Sequence, residues 1–147
     1  MSTPRGQQHL RLRAVDEEDL AVISATLQDA LAATVDMTWL QDERRFVVVV
    51  SRFCWETADA ENGEFERVHA MLTVDGVTRV LRRNLERIDP ETILELLSVE
   101  PRAGVGIELN FAGGAAIRLE CTGIDCRLED VGEPWPTRYK PAHDTGD

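Results

Sequence analysis

From Val35 to Leu128 apolar residues recur at every second position, and turn-forming pairs break the pattern at short intervals, as an antiparallel β-sheet demands. The clearest stretch comes late. Val105, Ile107, Leu109 and Phe111 alternate with Gly106, Glu108 and Asn110, Gly113-Gly114 turns the chain, and Ile117, Leu119 and Cys121 then alternate with Arg118 and Glu120. Thr122-Gly123 turns it again, ahead of Ile124, Cys126 and Leu128. Asp75-Gly76 carries the signature of a type I′ turn, which needs positive φ at both central residues, and so predicts a hairpin between residues 65–74 and 77–83. Strands are also expected over 35–40 and 45–55. Within the second, Phe46 to Val50 is apolar on both faces and reads as a central strand covered on one side by a helix. Residues 92–100 are ambiguous between helix and strand and are read as a helical turn running into a strand, while the acidic segment 56–64 reads as an exposed loop.

Ahead of this region lies the expected helix. Residues 9–14 alternate as a half-buried strand, and Asp16 then offers an N-cap, with Glu17, Glu18 and Asp19 at the positive end of the helix dipole. Val15 and Leu20 occupy the positions of a hydrophobic staple, and Leu20, Ile23, Leu27, Ala30 and Leu31 form an apolar stripe. About eight or nine short strands with one amphipathic helix predict a β-rich α+β fold, an antiparallel meander curled into a barrel or a two-layer sandwich.

A chain of 147 residues, 43% hydrophobic, can bury one core without disulfides or metal. Residues 9–139 are therefore expected to form one domain, between a flexible N-terminus (1–8) and a flexible C-terminal tail (140–147). The longest apolar run, Phe46 to Val50, is five residues, far short of the ~20 that span a bilayer. With no export signal in view, a cytoplasmic protein is expected. The net charge of −11 opposes approach to phosphate backbones and anionic membranes, so neither nucleic acid nor membrane is expected as a partner.

Each candidate site has a plain alternative. Cys121 and Cys126 make a C-x4-C pair, but the alternation puts both on the apolar face, and His9, His69 and His143 lie in unrelated segments; core packing is expected, with no metal and no cofactor. Cys54 lacks a visible activating neighbour, and His69 reads as an exposed strand residue. Arg79, Arg82, Arg83 and Arg87 are interleaved with acids and read as protection of an edge strand. Gly113-Gly114 leads from strand to strand, not into the helix that a phosphate loop requires. The residues singled out for binding are Arg52, Trp55, Arg118, Trp135 and Arg138, since Trp and Arg dominate interface energetics and Pro134-Trp135-Pro136 is a rigid mount.

The chain resembles the bacterial family catalogued as domain of unknown function (DUF) family 2948. The resemblance rests on Leu10-Arg11-Leu12-Arg13-Ala14 with Asp19-Leu20-Ala21-Val22-Ile23-Ser24, on Glu43-Arg44-Arg45-Phe46 with Arg52-Phe53-Cys54-Trp55-Glu56, on Gly113 to Glu120, and on Gly132 to Arg138. It implies a stand-alone bacterial cytoplasmic protein and supplies no catalytic residue. Two functions are compatible with these residues. One is a non-enzymatic interaction or accessory module that binds a protein partner or a second copy of itself. The other is a small-ligand barrel or weakly marked enzyme, with a cavity near Arg52, Trp55 and Arg118.

Overall fold

The computed structural model describes residues 9–57, 65–85, 89 and 91–138. Most of the expected loop at 56–64, both expected flexible termini and Arg87 lie outside them.

The elements are β1 (Arg11–Ala14), α1 (Glu17–Thr26), β2 (Ala30–Ala33), β3 (Met37–Leu40), β4 (Arg45–Phe53), β5 (Phe65–Asp75), β6 (Val77–Arg83), β7 (Ile93–Arg102), β8 (Gly106–Phe111), β9 (Ala116–Cys121) and β10 (Cys126–Thr137). They build one antiparallel ten-stranded sheet in the order β1-β10-β5-β4-β2-β7-β8-β9-β6, with β3 on the edge of β4 beside β2. Its ends, β1 and β6, do not pair with each other, so the expected barrel does not close. Hydrogen bonding divides the sheet into two runs, β1-β10-β5-β4-β3 and β2-β7-β8-β9-β6, joined by the single residue pair Leu31–Ser51. Both runs feed one hydrophobic cluster, in which Phe46, Val48, Val50, Leu72 and Val74 meet Leu96, Ile107, Leu109, Ile117 and Leu119.

The meander is local. Consecutive strands pair in β3-β4-β5 and in β7-β8-β9, where the alternation was strongest. Asp75-Gly76 does not close a hairpin: Gly76 takes positive φ (76°) but Asp75 does not, and β5 and β6 do not pair. Tertiary bonds outbid the turn. The Asp75 carboxylate accepts Arg45 Nε at 2.8 Å and Arg127 Nη2 at 2.9 Å, while the Val77 N–H donates to the Arg44 carbonyl. The chain thus turns a corner from one run into the other. Thr122-Gly123 crosses back at the same corner, Thr122 N–H donating to the Gly76 carbonyl, so β9 and β10 are not a hairpin either. Gly76 suits this packing, because a Cβ there would stand 2.9 Å from Thr122 Oγ1.

Asp16 caps α1 as expected, its Oδ1 accepting the Asp19 N–H at 2.8 Å, and Leu20, Ile23 and Leu27 are fully buried. Val15 is 56% exposed, so no staple reaches the core. The helix ends at Thr26. Asp29 adopts positive φ (65°) and donates its N–H to Leu96, and Ala30 and Leu31, read as the end of the helical stripe, instead open β2. A spacing of three and four residues fits a new strand by coincidence when the intervening turn is short. The helix packs mainly on β1 and β7, not over the apolar centre of β4, where Val47 and Val49 stay partly exposed. Residues 93–102 are strand throughout. The expected helical turn is a tight turn at Asp89, whose carbonyl accepts the Thr92 N–H and whose carboxylate accepts that of Glu91. Residues 34–36 form a short 3-10 turn, so the strand expected from Val35 begins at Met37.

Candidate functional site

Arg52 follows the core-facing positions Phe46, Val48 and Val50 of β4 and is itself fully buried. Its cross-strand partner on β5 is Val68; one step along, Ala70 pairs with Asp130 of β10 on the same face. The small Ala70 leaves room for the guanidinium to cross β5. Nε donates to Asp130 Oδ1 at 2.8 Å and Nη2 to Oδ2 at 2.9 Å; Nη1 and Nη2 donate to Glu56 at 3.1 and 2.7 Å; Nη1 also donates to the Phe53 carbonyl at 3.3 Å. Every donor of the side chain is engaged. Burial works against the Arg52 charge, but the bonds to Asp130 and Glu56 outweigh it and raise its pKa. Asp130 extends the network to the N-terminal segment, taking the Leu10 N–H on its carboxylate and exchanging a backbone bond with the same residue. Arg52, expected at the rim of a cavity, is thus a strut of the core.

Trp55 lies in a short turn after β4, its ring edge-on to Phe53 at a centroid distance of 4.5 Å, and Phe53 in turn meets Phe65 at 5.7 Å. Between them Cys54 is buried, and that burial pushes its thiol up to about 11, which keeps it protonated and unreactive near neutrality. Arg118 belongs to the other run. It lies opposite Glu108, whose carboxylate is buried between Arg118 (Nε–Oε2 3.7 Å) and Arg102, so it shares no site with Arg52 or Trp55. Cys126 is buried and Cys121 packs against the core, each as a free thiol. Arg79, Arg82 and Arg83 are exposed on β6, an end strand of the sheet. A groove of about 370 Å³ separates α1 from β7, lined by Glu17, Ala21, Ser24, Leu97 and Glu100 among others.

Of the residues singled out for binding, Trp135 joins none of the others and meets Arg67 and His69 instead. Gly132 (φ 83°) sits within an irregularity between Val131 and Trp135 that shifts the register of β10, so that Trp135 comes to face Arg67 of β5. A row Phe53, Arg67, Trp135 then crosses β4, β5 and β10 on the face opposite Arg52, with Phe53 fully buried and Arg67 and Trp135 half-buried. The Trp135 ring lies on His69, centroids 4.7 Å apart at 50°. Arg67, the strand partner of Trp135, is half-buried and held by Ser51, Nε donating to Ser51 Oγ at 2.8 Å and Nη2 to the Ser51 carbonyl at 2.6 Å. Its Nη2 also reaches the Asp29 carbonyl at 3.5 Å. Burial lowers its pKa, opposed only in part by Cys54 and Asp29 nearby. Arg138 follows the end of β10, exposed. His69 is exposed on its strand, as expected, and Arg67 was not singled out, because their i, i+2 spacing marks only the outer face of a strand; the shift that brings Trp135 to them leaves no local signal except Gly132.

The carboxylates predict the acid response. Burial would raise the Glu56 pKa, but its hydrogen bond to Arg52 prevails and lowers it; burial likewise opposes Arg45 and loses at Asp75, and Glu108 is lowered first by its bond to Arg102. A folded pKa below the unfolded one stabilises fully above the unfolded value, and the benefit is lost as pH falls through the folded value. Thermal midpoints measured by calorimetry are therefore expected to be level near neutrality and to fall steadily once pH drops below the ordinary 4.5 of Glu and 3.8 of Asp. A midpoint that held or rose through that window would refute the pairing.

Among the described residues no helix is long and apolar enough to cross a membrane, and no group of three His, Cys, Asp or Glu side chains is placed to hold a metal ion. No curated protein and no solved structure matches the chain. A family model does, over residues 10–143, which takes in α1, every strand, the Arg52 network and the Trp135 row. On that match the chain belongs to the family described as protein of unknown function (DUF2948).

Proposed function

We propose that the chain is a non-enzymatic recognition module of the cytoplasm that presents the strip formed by Trp135, His69 and Arg67 to a partner protein. The observation that carries this reading is Trp135 packed against His69 at a 50° tilt, next to a half-buried Arg67 that Ser51 holds in place. Trp and Arg are the residues that most often dominate an interface, and here they are mounted on paired strands, so little side-chain entropy is lost on binding. Arg138, just past the end of β10, adds an exposed guanidinium. A small-ligand cavity near Arg52, Trp55 and Arg118 has weaker support, because Arg52 spends all its donors internally and Arg118 is paired with Glu108 in the other run.

The test is capture from lysate by the tagged full chain with quantitative mass spectrometry, comparing wild type, Trp135→Ala and Arg83→Ala, together with light scattering. A hot-spot tryptophan is worth about 2 kcal/mol or more, so recovery of at least one protein is expected to fall about thirtyfold in Trp135→Ala and to persist in Arg83→Ala. Identical recoveries from all three proteins would remove the reading. A dimer abolished by Trp135→Ala would make the partner a second copy and overturn the choice of a different protein.

A further inference from the structure

We infer that the outer face of β2 and β7, with the groove beside α1, docks a segment of a partner protein whose apolar side chains are flanked by lysine or arginine. This surface is separate from the Trp135 strip and does not depend on it. Among the described residues seven large apolar side chains are exposed, and four of them gather here: Leu31 on β2, Val35 just past it, and Ile93 (58%) and Leu97 (46%) on β7. Register makes them neighbours. Leu31 lies opposite Glu95, so Ile93 and Leu97 flank it diagonally, at the ~7–8 Å that long side chains bridge. Single apolar residues on a surface need no explanation, whereas a contiguous group marks a contact.

The groove continues the patch. Leu97 stands at the register shift between Leu96 and Ser98 and forms part of one wall, while Ala21 and Ala25 of α1 line the other. Small side chains at i and i+4 on that flank of the helix leave the space open. Its volume of about 370 Å³ is at the low end of the ~300–1,000 Å³ of whole small-molecule sites, and suits a side chain of a longer segment. A strand cannot be added along this edge of β7, because the Val99 N–H already donates to Ser24 Oγ at 2.9 Å and Pro101 has no N–H. The occupant is therefore held by its side chains.

Charge selects the kind of segment. Glu17 and Glu100 line the groove and no base does; Glu91 is exposed two residues before Ile93, and Glu95 stands between Ile93 and Leu97. Arg102 comes only within 3.8 Å of Glu100 and hydrogen-bonds to Glu108 instead. The net −11 adds a long-range attraction for cations. An apolar centre with acids around it is matched by a segment with an apolar centre and bases around it. A second copy fits less well, since a two-fold contact sets the same acids against one another.

The test is an NMR titration of the full chain, read at backbone amides and methyl groups, with three synthetic peptides of about seven residues: Lys alternating with Leu, Glu alternating with Leu, and Lys alternating with Ser. Light scattering of the protein alone accompanies it. The Lys-Leu peptide is expected to saturate with Kd on the order of 0.1 mM and to shift Leu31, Ile93 and Leu97 but not the Trp135 indole. The Glu-Leu and Lys-Ser peptides should each bind at least tenfold more weakly, one for want of charge match and the other for want of apolar contact. Ile93→Ser combined with Leu97→Ser, which alters no charge, should weaken the Lys-Leu peptide at least tenfold. The comparison of the three peptides on the wild-type chain stands even should that variant misfold. Lys-Ser binding as tight as Lys-Leu would reduce the effect to bulk charge and overturn the inference. So would no saturation below about 10 mM, or shifts confined to other faces. A dimer that the double variant dissociates would make the occupant a second copy and equally overturn it.

Discussion

Replacing Arg52 with alanine is expected to lower the unfolding free energy by about 3–5 kcal/mol, read from the midpoint of chemical denaturation at unchanged slope. The cost comes less from the lost attraction than from the group left behind. Asp130 is 5% exposed and would keep a buried negative charge with only the Leu10 N–H and solvent that leaks in to satisfy it. Glu56, its side chain 48% exposed, loses little, because water takes over its solvation. A second replacement therefore discriminates: Arg52→Met with Asp130→Ala should recover a large part of the loss, since removing both charges removes the uncompensated one. A single-variant loss below about 1 kcal/mol would mean that the pair is hydrated and the core account of Arg52 is wrong. The effect would reach beyond the core, because Asp130 also ties the N-terminal segment to β10 through Leu10.

Gly106→Ala is expected to be comparably damaging, costing about 3 kcal/mol or more and leaving much of the protein insoluble. Gly106 opens β8 with φ of 149°, and a Cβ there would stand 2.1 Å from the Leu119 carbonyl oxygen and 2.7 Å from the Cys121 nitrogen. Both obstacles are backbone of the paired strand β9, so neither can swing aside. Gly104→Ala is the matched control. It sits two residues earlier with φ of 75° and nothing within 4 Å of its would-be Cβ, so only the backbone preference is charged, about 1 kcal/mol. Equal losses at the two positions, measured by thermal unfolding, would show that the close approach of β8 and β9 is not as tight as the structure has it.

What could be read along the chain, and what could not, divides by the range of the interaction responsible. Asp16 caps α1 because the bond spans three residues, and 106–111 and 116–121 pair across Gly113-Gly114 because the turn and both strands are contiguous. Asp75-Gly76 carries the strongest turn signal and was misread, since Arg45, Arg127 and the Arg44 carbonyl, all distant in sequence, compete for the same groups. Arg52 and Trp135 were both legible as residues of interest but were alike in the sequence: a cation and an aromatic on alternating strands. Only the register of β5 against its two neighbours sends Arg52 inward to Asp130 and sets Trp135 over Arg67 and His69.

The order of residues alone determined that this protein is pleated for most of its length, that one helix is capped by Asp16, and which alternating side chains are oily enough to be buried; each follows from forces acting within a few positions of the chain. Tertiary structure decided that the sheet stays open, that two runs meet at the Asp75 corner, and which charged side chains are buried with partners. Strand order and register depend on contacts between residues tens of positions apart, and a repeat of two looks the same in every pairing that keeps the oily face inward.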